Sequence, residues 1–182
     1  MLPPKAGGCP DESDPFLAAM NTPASLTRRS FTAPAGVPGV TPMNSLAMKS
    51  ASIPSFGGIS DAVSLARFYA GMATSGGGNG WVSPQVFEQA SGRMTQGLDE
   101  VLRVETCFAA GFMLDPVGAD GKKSRVTFGP SLSAFGHPGA GGSLAFADPE
   151  SGIGFAYVMN QMQPGALPQE RAAALVREVY TS

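Results

Sequence analysis

The sequence predicts an α+β chain: helices in its middle, an antiparallel sheet in its second half and a closing helix. Three observations carry this. Residues 60–73, SDAVSLARFYAGMA, repeat apolar side chains at helical spacing. The runs SLAFAD and GIGFAYVMNQM are joined by PESG, where Asp148, Pro149 and Gly152 are hairpin residues, so the two runs should pair antiparallel. The tail LPQERAAALVREVYTS has Pro168 in its first turn and an apolar stripe of Ala172, Leu175, Val176, Val179 and Tyr180.

Taken in order, residues 1–58 hold nine prolines, at 3, 4, 10, 15, 23, 34, 38, 42 and 54. A fixed φ and a missing N–H at such density break long helices and central strands. Only PFLAAMN, Pro15 to Asn21, reads as a short helix. The helix of residues 60–73 has Ser60 as expected N-cap, Asp61 at its positive end, and SGGG at 75–78 to stop it. Its stripe is Ala62, Leu65, Ala66, Tyr69, Met72 and Ala73. A second helix is expected from Ser83, with Pro84 first and QVFEQAS following. Residues 92–106 read as a polar connection. CFAAGFMLD reads as one strand, DPVGADGKK as a turn-rich excursion and RVTF as a short strand. In GIGFAYVMNQM, Ile153, Phe155, Tyr157 and Met159 share one face; Gly154, Ala156, Val158 and Asn160 share the other. Both faces are mostly apolar, which predicts a sheet covered on both sides.

Composition narrows the function. The 182 residues are 43% hydrophobic and 14% charged, against a usual charged share of about 25%. The net charge is -2, so nothing attracts a polyanion, and nucleic acid is not an expected partner. Glycine (24) and proline (16) are in excess but show no period. A single histidine excludes any site that needs two imidazoles. Cys9 and Cys107 stand far apart and form no CxxC pair, so no zinc ribbon and no disulfide scaffold is expected. No apolar run reaches the roughly 18–20 residues that span a bilayer. The residues after Met1, LPPKAGGCPDES, carry no apolar stretch of a secretory leader. No membrane partner is expected, and a cytoplasmic location is the default.

The most informative run is FGHPGAGGSLAFADPE, Phe135 to Glu150, which holds His137 and then Gly139, Gly141 and Gly142. Glycines let another molecule approach the backbone and leave N–H groups accessible, and a histidine beside them can meet a substrate oxygen. A tight turn next to a hydrogen-bonded core histidine is the plainer alternative. The run is not a phosphate loop: GxxxxGK[ST] is absent, and GAGG leads into a strand instead of a helix.

FGHPGAGGSLAFADPESGIGFAYVMNQM resembles the third active-site motif and following hairpin of the β-lactamase-related serine hydrolases: class C β-lactamases, penicillin-binding proteins and EstB-type esterases. IPSFGGISDAVSLARFYAGMATSGG resembles that family's middle region, and SPQVFEQAS, CFAAGFML and the closing helix follow in the expected order. The resemblance covers nearly all of residues 50–182. It implies a β-lactamase/transpeptidase-like fold, present in part: the last three strands of a five-stranded antiparallel sheet, the C-terminal helix and part of the helical lobe. Residues 1–58 would then be a connecting segment of that lobe, 59–106 its helical part, and 107–182 the strands and last helix, all of one incomplete domain.

The resemblance also implies roles. His137, Pro138 and Gly139 match the H-x-G form of the third motif. His137 would hydrogen-bond the substrate or join a proton relay, and the backbone N–H of Ala140 would be one of two oxyanion donors. Pro138, Gly139 and Gly141 would border the substrate. The family's nucleophile belongs to S-x-x-K, which the 182 residues do not contain. Ser45 and Lys49 are spaced S-x-x-x-K and do not qualify. For the family's Y-x-N or Y-x-S, Tyr69-Ala70-Gly71 has only the tyrosine, on an apolar stripe, and Tyr157 and Asn160 are spaced Y-x-x-N. The chain is therefore expected to be a C-terminal portion, inactive alone. Its complete parent would act on a small-molecule ester or amide through an acyl-serine, without metal or organic cofactor. A non-catalytic binding module of the same fold is the alternative.

The remaining polar candidates have structural readings. Asp148 and Glu150 read as a solvated turn, Arg67 as a surface or interhelix ion pair, and Trp81 as a plug between helices. Asn160 reads as a buried tie and Cys107 as a small core residue. Ser143 or Ser133 as a nucleophile for His137 has no GxSxG elbow behind it.

Overall fold

The computed structural model describes residues 2–3, 13–33, 40–53, 57–74, 81–165, 167 and 170–181. Cys9 and the SGGG run at 75–78 fall outside the described residues. Among the described residues, seven helices and six strands follow in order: α1 (Pro15–Asn21), α2 (Leu26–Phe31), α3 (Val40–Met43), α4 (Leu46–Lys49), α5 (Ala62–Ala73), α6 (Pro84–Ser91), β1 (Thr95–Leu98), β2 (Glu105–Phe108), β3 (Met113–Leu114), β4 (Phe135–Pro138), β5 (Leu144–Asp148), β6 (Ile153–Tyr157) and α7 (Glu170–Val179). The strands form one antiparallel sheet in chain order, with β1 and β6 at its edges.

Alternation along the strands divides the core in two. Phe135, Ala145, Ala147, Cys107 and Leu114 face α5 through Tyr69, Met72 and Ala73. Met113, Leu144, Phe146 and Phe128 face α7 through Ala172 and Val176. The sheet is thus covered on both faces, as the two apolar faces of β6 require. The α5 backbone lies directly on β6. A Cβ on Gly154 would sit 2.4 Å from Ala70 Cα and 2.6 Å from the Ala66 carbonyl oxygen, so the missing side chain at 154 permits this approach.

Several expectations are corrected. The N-cap of α5 is Asp61, not Ser60: its carboxylate accepts from Ser64 N–H at 2.8 Å. The proline-rich segment holds α2, α3 and α4 besides α1, because Ser25 and Ser45 cap short helices between the prolines. Residues 92–106 are not a plain connection but contain β1 and a turn into β2. The strand β1 is exposed along its length, so it carries no apolar alternation to read. The Gln96 side chain fixes it instead, donating to Val117 O and accepting from Val117 N–H, each at 2.9 Å. CFAAGFMLD breaks into β2 and β3 where Ala109 N–H donates to Phe112 O at 2.8 Å. RVTF is not a strand. Thr127 and Phe128 N–H both donate to the buried Asp115 Oδ2, at 2.9 and 3.0 Å, so neither can enter a ladder. Three strands thus precede the final three, β4 to β6.

Two buried carboxylates tie loops to this frame. Asp115 also meets Lys123 Nζ at 3.2 Å and Arg125 Nε at 3.6 Å, anchoring the 115–129 excursion. Asp148 is fully buried, which corrects its reading as a solvated turn residue. Its carboxylate accepts from Ser131 Oγ and Tyr180 Oη, each at 2.7 Å, and from Ser151 Oγ at 3.1 Å. Burial pushes this carboxyl up, but those hydrogen bonds outweigh it and hold it below the usual carboxylate range.

Candidate active site

Strand β4 builds the site by alternation. Phe135 points into the α5-side core, where its ring lies 4.9 Å from that of Phe112 and 5.6 Å from that of Phe87. Two residues on, His137 belongs to the same face but lies beyond the helix-covered part and is exposed. The core-histidine alternative is thereby set aside. On one side His137 and Pro138 pair with Ala145 and Leu144 of β5. On the other, β3 ends its pairing at Met113 opposite Gly136. His137 therefore stands at an open margin of the sheet.

One contact sets the role of Nδ1. His137 Nδ1 lies 2.7 Å from the carbonyl oxygen of Pro138. A carbonyl only accepts, so Nδ1 is the donor in this contact, and Nε2 has no hydrogen-bond partner among the described residues. Gly136 is required for the strand to sit this close to β5: a Cβ there would be 2.2 Å from Ala145 O.

After Pro138 the chain turns through Gly139, Ala140, Gly141 and Gly142. Gly142 N–H donates to Gly139 O at 3.1 Å and Gly139 N–H to Ser143 O at 2.7 Å. Gly141 has φ +91°, the positive third position that marks a type II turn. Ala140 is exposed, and its N–H donates to no backbone or side-chain acceptor among the described residues. A histidine with one free nitrogen and a bare amide thus share one strand and its turn. Such a pair can meet a substrate oxygen as negative charge builds on it. No group of His, Cys, Asp or Glu among the described residues could hold a metal ion.

The other candidates resolve as structural. Ser133 Oγ donates to Glu150 Oε1 at 2.7 Å, and Ser143 Oγ fills the space beside Gly139; neither shares a hydrogen bond with His137 among the described residues. Tyr69 is buried in the core, and burial pushes its hydroxyl up to about 12. Cys107 is fully buried and free of disulfide. Arg67 is exposed on α5 and lowers the nearby Asp61 carboxyl electrostatically, after the larger effect of the Ser64 hydrogen bonds. Asn160 is exposed, not a buried tie; its carbonyl, not its side chain, holds Leu2 N–H at 2.7 Å. Trp81 stays 57% exposed, so it is not a plug between helices: it stacks on Phe68 at 6.0 Å and covers Gly71 of α5. Tyr180-Thr181-Ser182 also spells Y-x-S, with the tyrosine at the end of α7. Its hydroxyl is committed to Asp148, on the α7 side of the sheet.

An antiparallel sheet packed between helices, with an H-x-G strand at its open margin, defines the class of β-lactamase-like folds. The family model described as Beta-lactamase matches residues 8–179, and the chain belongs to that family. It is 32% identical over 115 residues to the esterase/β-lactamase LipL of Mycobacterium tuberculosis, a match covering 62% of this chain and 24% of LipL. Among solved structures it resembles a penicillin-binding protein homologue from Caulobacter crescentus, with TM-score 0.58 and 35% identity over 67% of this chain and 32% of that one. It also resembles EstA from Arthrobacter nitroguajacolicus Rue61a, with TM-score 0.60 and 28% identity over 82% and 44%. A family VIII carboxylesterase gives TM-score 0.56 and 29% identity over 64% and 30%. The chain therefore spans less than half the length of these relatives.

Proposed function

We propose that this chain forms part of an esterase-type serine hydrolase that cleaves a small-molecule ester or amide through an acyl-serine intermediate. His137 Nε2 would contact the substrate or relay its proton, and the Ala140 N–H would stabilise the tetrahedral oxyanion. Pro138, Gly139 and Gly141 would shape the wall beside it. The attacking hydroxyl would come from polypeptide outside these 182 residues, since they hold no S-x-x-K. One observation carries the reading: His137, with Nδ1 already satisfied, lies exposed three residues before an amide that has no acceptor among the described residues. The name of the family VIII carboxylesterase supports ester chemistry, and that of LipL gives esterase and β-lactamase together.

The test uses the protein expressed from its complete reading frame. A short-chain chromogenic ester should be hydrolysed, and His137→Ala should lower kcat/KM by about 100-fold or more. An undiminished rate in His137→Ala removes the histidine from the chemistry. The absence of S-x-x-K also favours a second reading, a non-catalytic binding module of the same fold. No hydrolysis, together with no labelling by a serine-directed phosphonate, would favour that module.

A further inference from the structure

We infer that the backbone N–H of Gln163 positions the oxyanion amide of Ala140 through two intervening peptide groups, with Met162 holding the turn in place. The inference rests on the role proposed for Ala140. Gln163 N–H donates to Gly141 O at 2.8 Å. That carbonyl belongs to the same peptide group as Gly142 N–H, which donates to Gly139 O at 3.1 Å. The Gly139 carbonyl in turn shares its peptide group with Ala140 N–H. Each peptide is planar, so fixing its oxygen fixes the N–H at its opposite end. Hydrogen bonds linked head to tail also polarise one another, which strengthens the last donor in the chain. The line thus runs from Gln163 N–H through two rigid plates to an N–H that has no acceptor among the described residues.

Met162 supplies the second constraint. Its side chain occupies the space where a Cβ on Gly141 would lie, with Cγ, Cε and Cβ at 2.6, 2.7 and 2.8 Å from that point. It therefore covers the residue whose left-handed φ of +91° makes the turn type II. The strap that carries both residues is itself held. Met162 N–H donates to Leu2 O at 3.0 Å, and Leu2 N–H donates to Asn160 O at 2.7 Å, closing a parallel bridge between Leu2 and Gln161. Nothing in the H-x-G spelling points to residues 162 and 163. They lie more than twenty positions downstream, beyond the hairpin, and reach the turn only because β6 runs back alongside β5.

The test is NMR of the isotopically labelled protein expressed from its complete reading frame. Gln163→Pro deletes the donor; Gln163→Ala keeps it. The Ala140 N–H proton and the Gly139 and Gly141 carbonyl carbons should shift upfield in Gln163→Pro and stay in place in Gln163→Ala, while the amides of Phe135 and Phe146 do not move. An Ala140 resonance that is unchanged in Gln163→Pro overturns the inference, whatever the hydrolysis assay gives. If Gln163→Pro loses the dispersed core amides, Met162→Ala carries the test. The Ala140 order parameter should then fall from about 0.85 towards 0.6 or lower, with recovery in Met162→Leu. An Ala140 order parameter equal in all three proteins overturns the inference as well. A shifted Ala140 with hydrolysis indifferent to His137→Ala would leave the relay standing and remove the catalytic role proposed for the site.

Discussion

The amide nitrogen of Ala70 in α5 lies 2.1 Å from the point that a Cβ on Gly154 in β6 would occupy. Helix and strand meet backbone to backbone, and Gly154 cannot carry a side chain without separating them. Gly154→Ala should therefore cost about 1–3 kcal/mol, the usual range for overpacking a core. A urea titration reads this as a lower midpoint with an unchanged slope. A midpoint equal to that of the unsubstituted chain would mean that α5 does not sit on β6 in this way.

The buried Asp148 links the β5–β6 turn to Tyr180 at the end of α7, and both groups titrate away from their ordinary values. The Asp148 carboxyl is held below 3.8, so its contribution to stability is complete above about pH 4 and is lost as pH falls through its lowered folded value. For Tyr180, burial first and then the Asp148 contact push the hydroxyl above 10. Its contribution is complete below about pH 10 and is lost as pH rises towards the folded value. Stability should therefore fall at both ends. Tyr180→Phe should lower it by about 1.5–3 kcal/mol at neutral pH, as for a hydrogen bond to a charged group, and flatten the alkaline limb. Thermal midpoints measured from about pH 3 to about pH 11 check both limbs. An alkaline limb unchanged in Tyr180→Phe would refute the linkage.

Lys123 is nearly buried, donating to Asp115 and to Gly129 O. Burial lowers its pKa, and Asp115 opposes that effect. Removing the cation leaves the Asp115 carboxylate with the two amides of Thr127 and Phe128 and, as charge partner, the less aligned Arg125. Lys123→Met should cost about 3–5 kcal/mol, the range for breaking a buried pair from one side. Lys123→Met with Asp115→Asn should recover part of that loss. Calorimetric unfolding of the two proteins distinguishes them, and equal midpoints would show that Asp115 is not the group left uncompensated.

The helices α1, α5, α6 and α7 and the last hairpin were legible because their signals are local, whereas α2, α3 and α4 are too short to show a period among the prolines. Periodicity located α5 to within a residue or two, Pro84 opened α6, and the Asp148–Gly152 punctuation separated β5 from β6. The strand β1 was hidden because an exposed edge strand held by Gln96 carries no apolar alternation. RVTF misled because its amides serve the Asp115 carboxylate, a partner twelve residues away that no spacing rule marks. The site divided in the same way. His137 and the turn glycines could be picked out as a motif, whereas Met162 and Gln163 reach that turn only through the fold of β6.

Hydrolysis by Ala140→Pro is the most direct measurement. Position 140 is the second residue of a type II turn, where proline is favoured, so the substitution deletes the N–H without disturbing the turn. In the protein expressed from the complete reading frame, kcat/KM for a short-chain ester should fall by about 100- to 1,000-fold, with the thermal midpoint unchanged or raised. An undiminished kcat/KM in a folded Ala140→Pro protein would contradict the placement of the oxyanion at this amide.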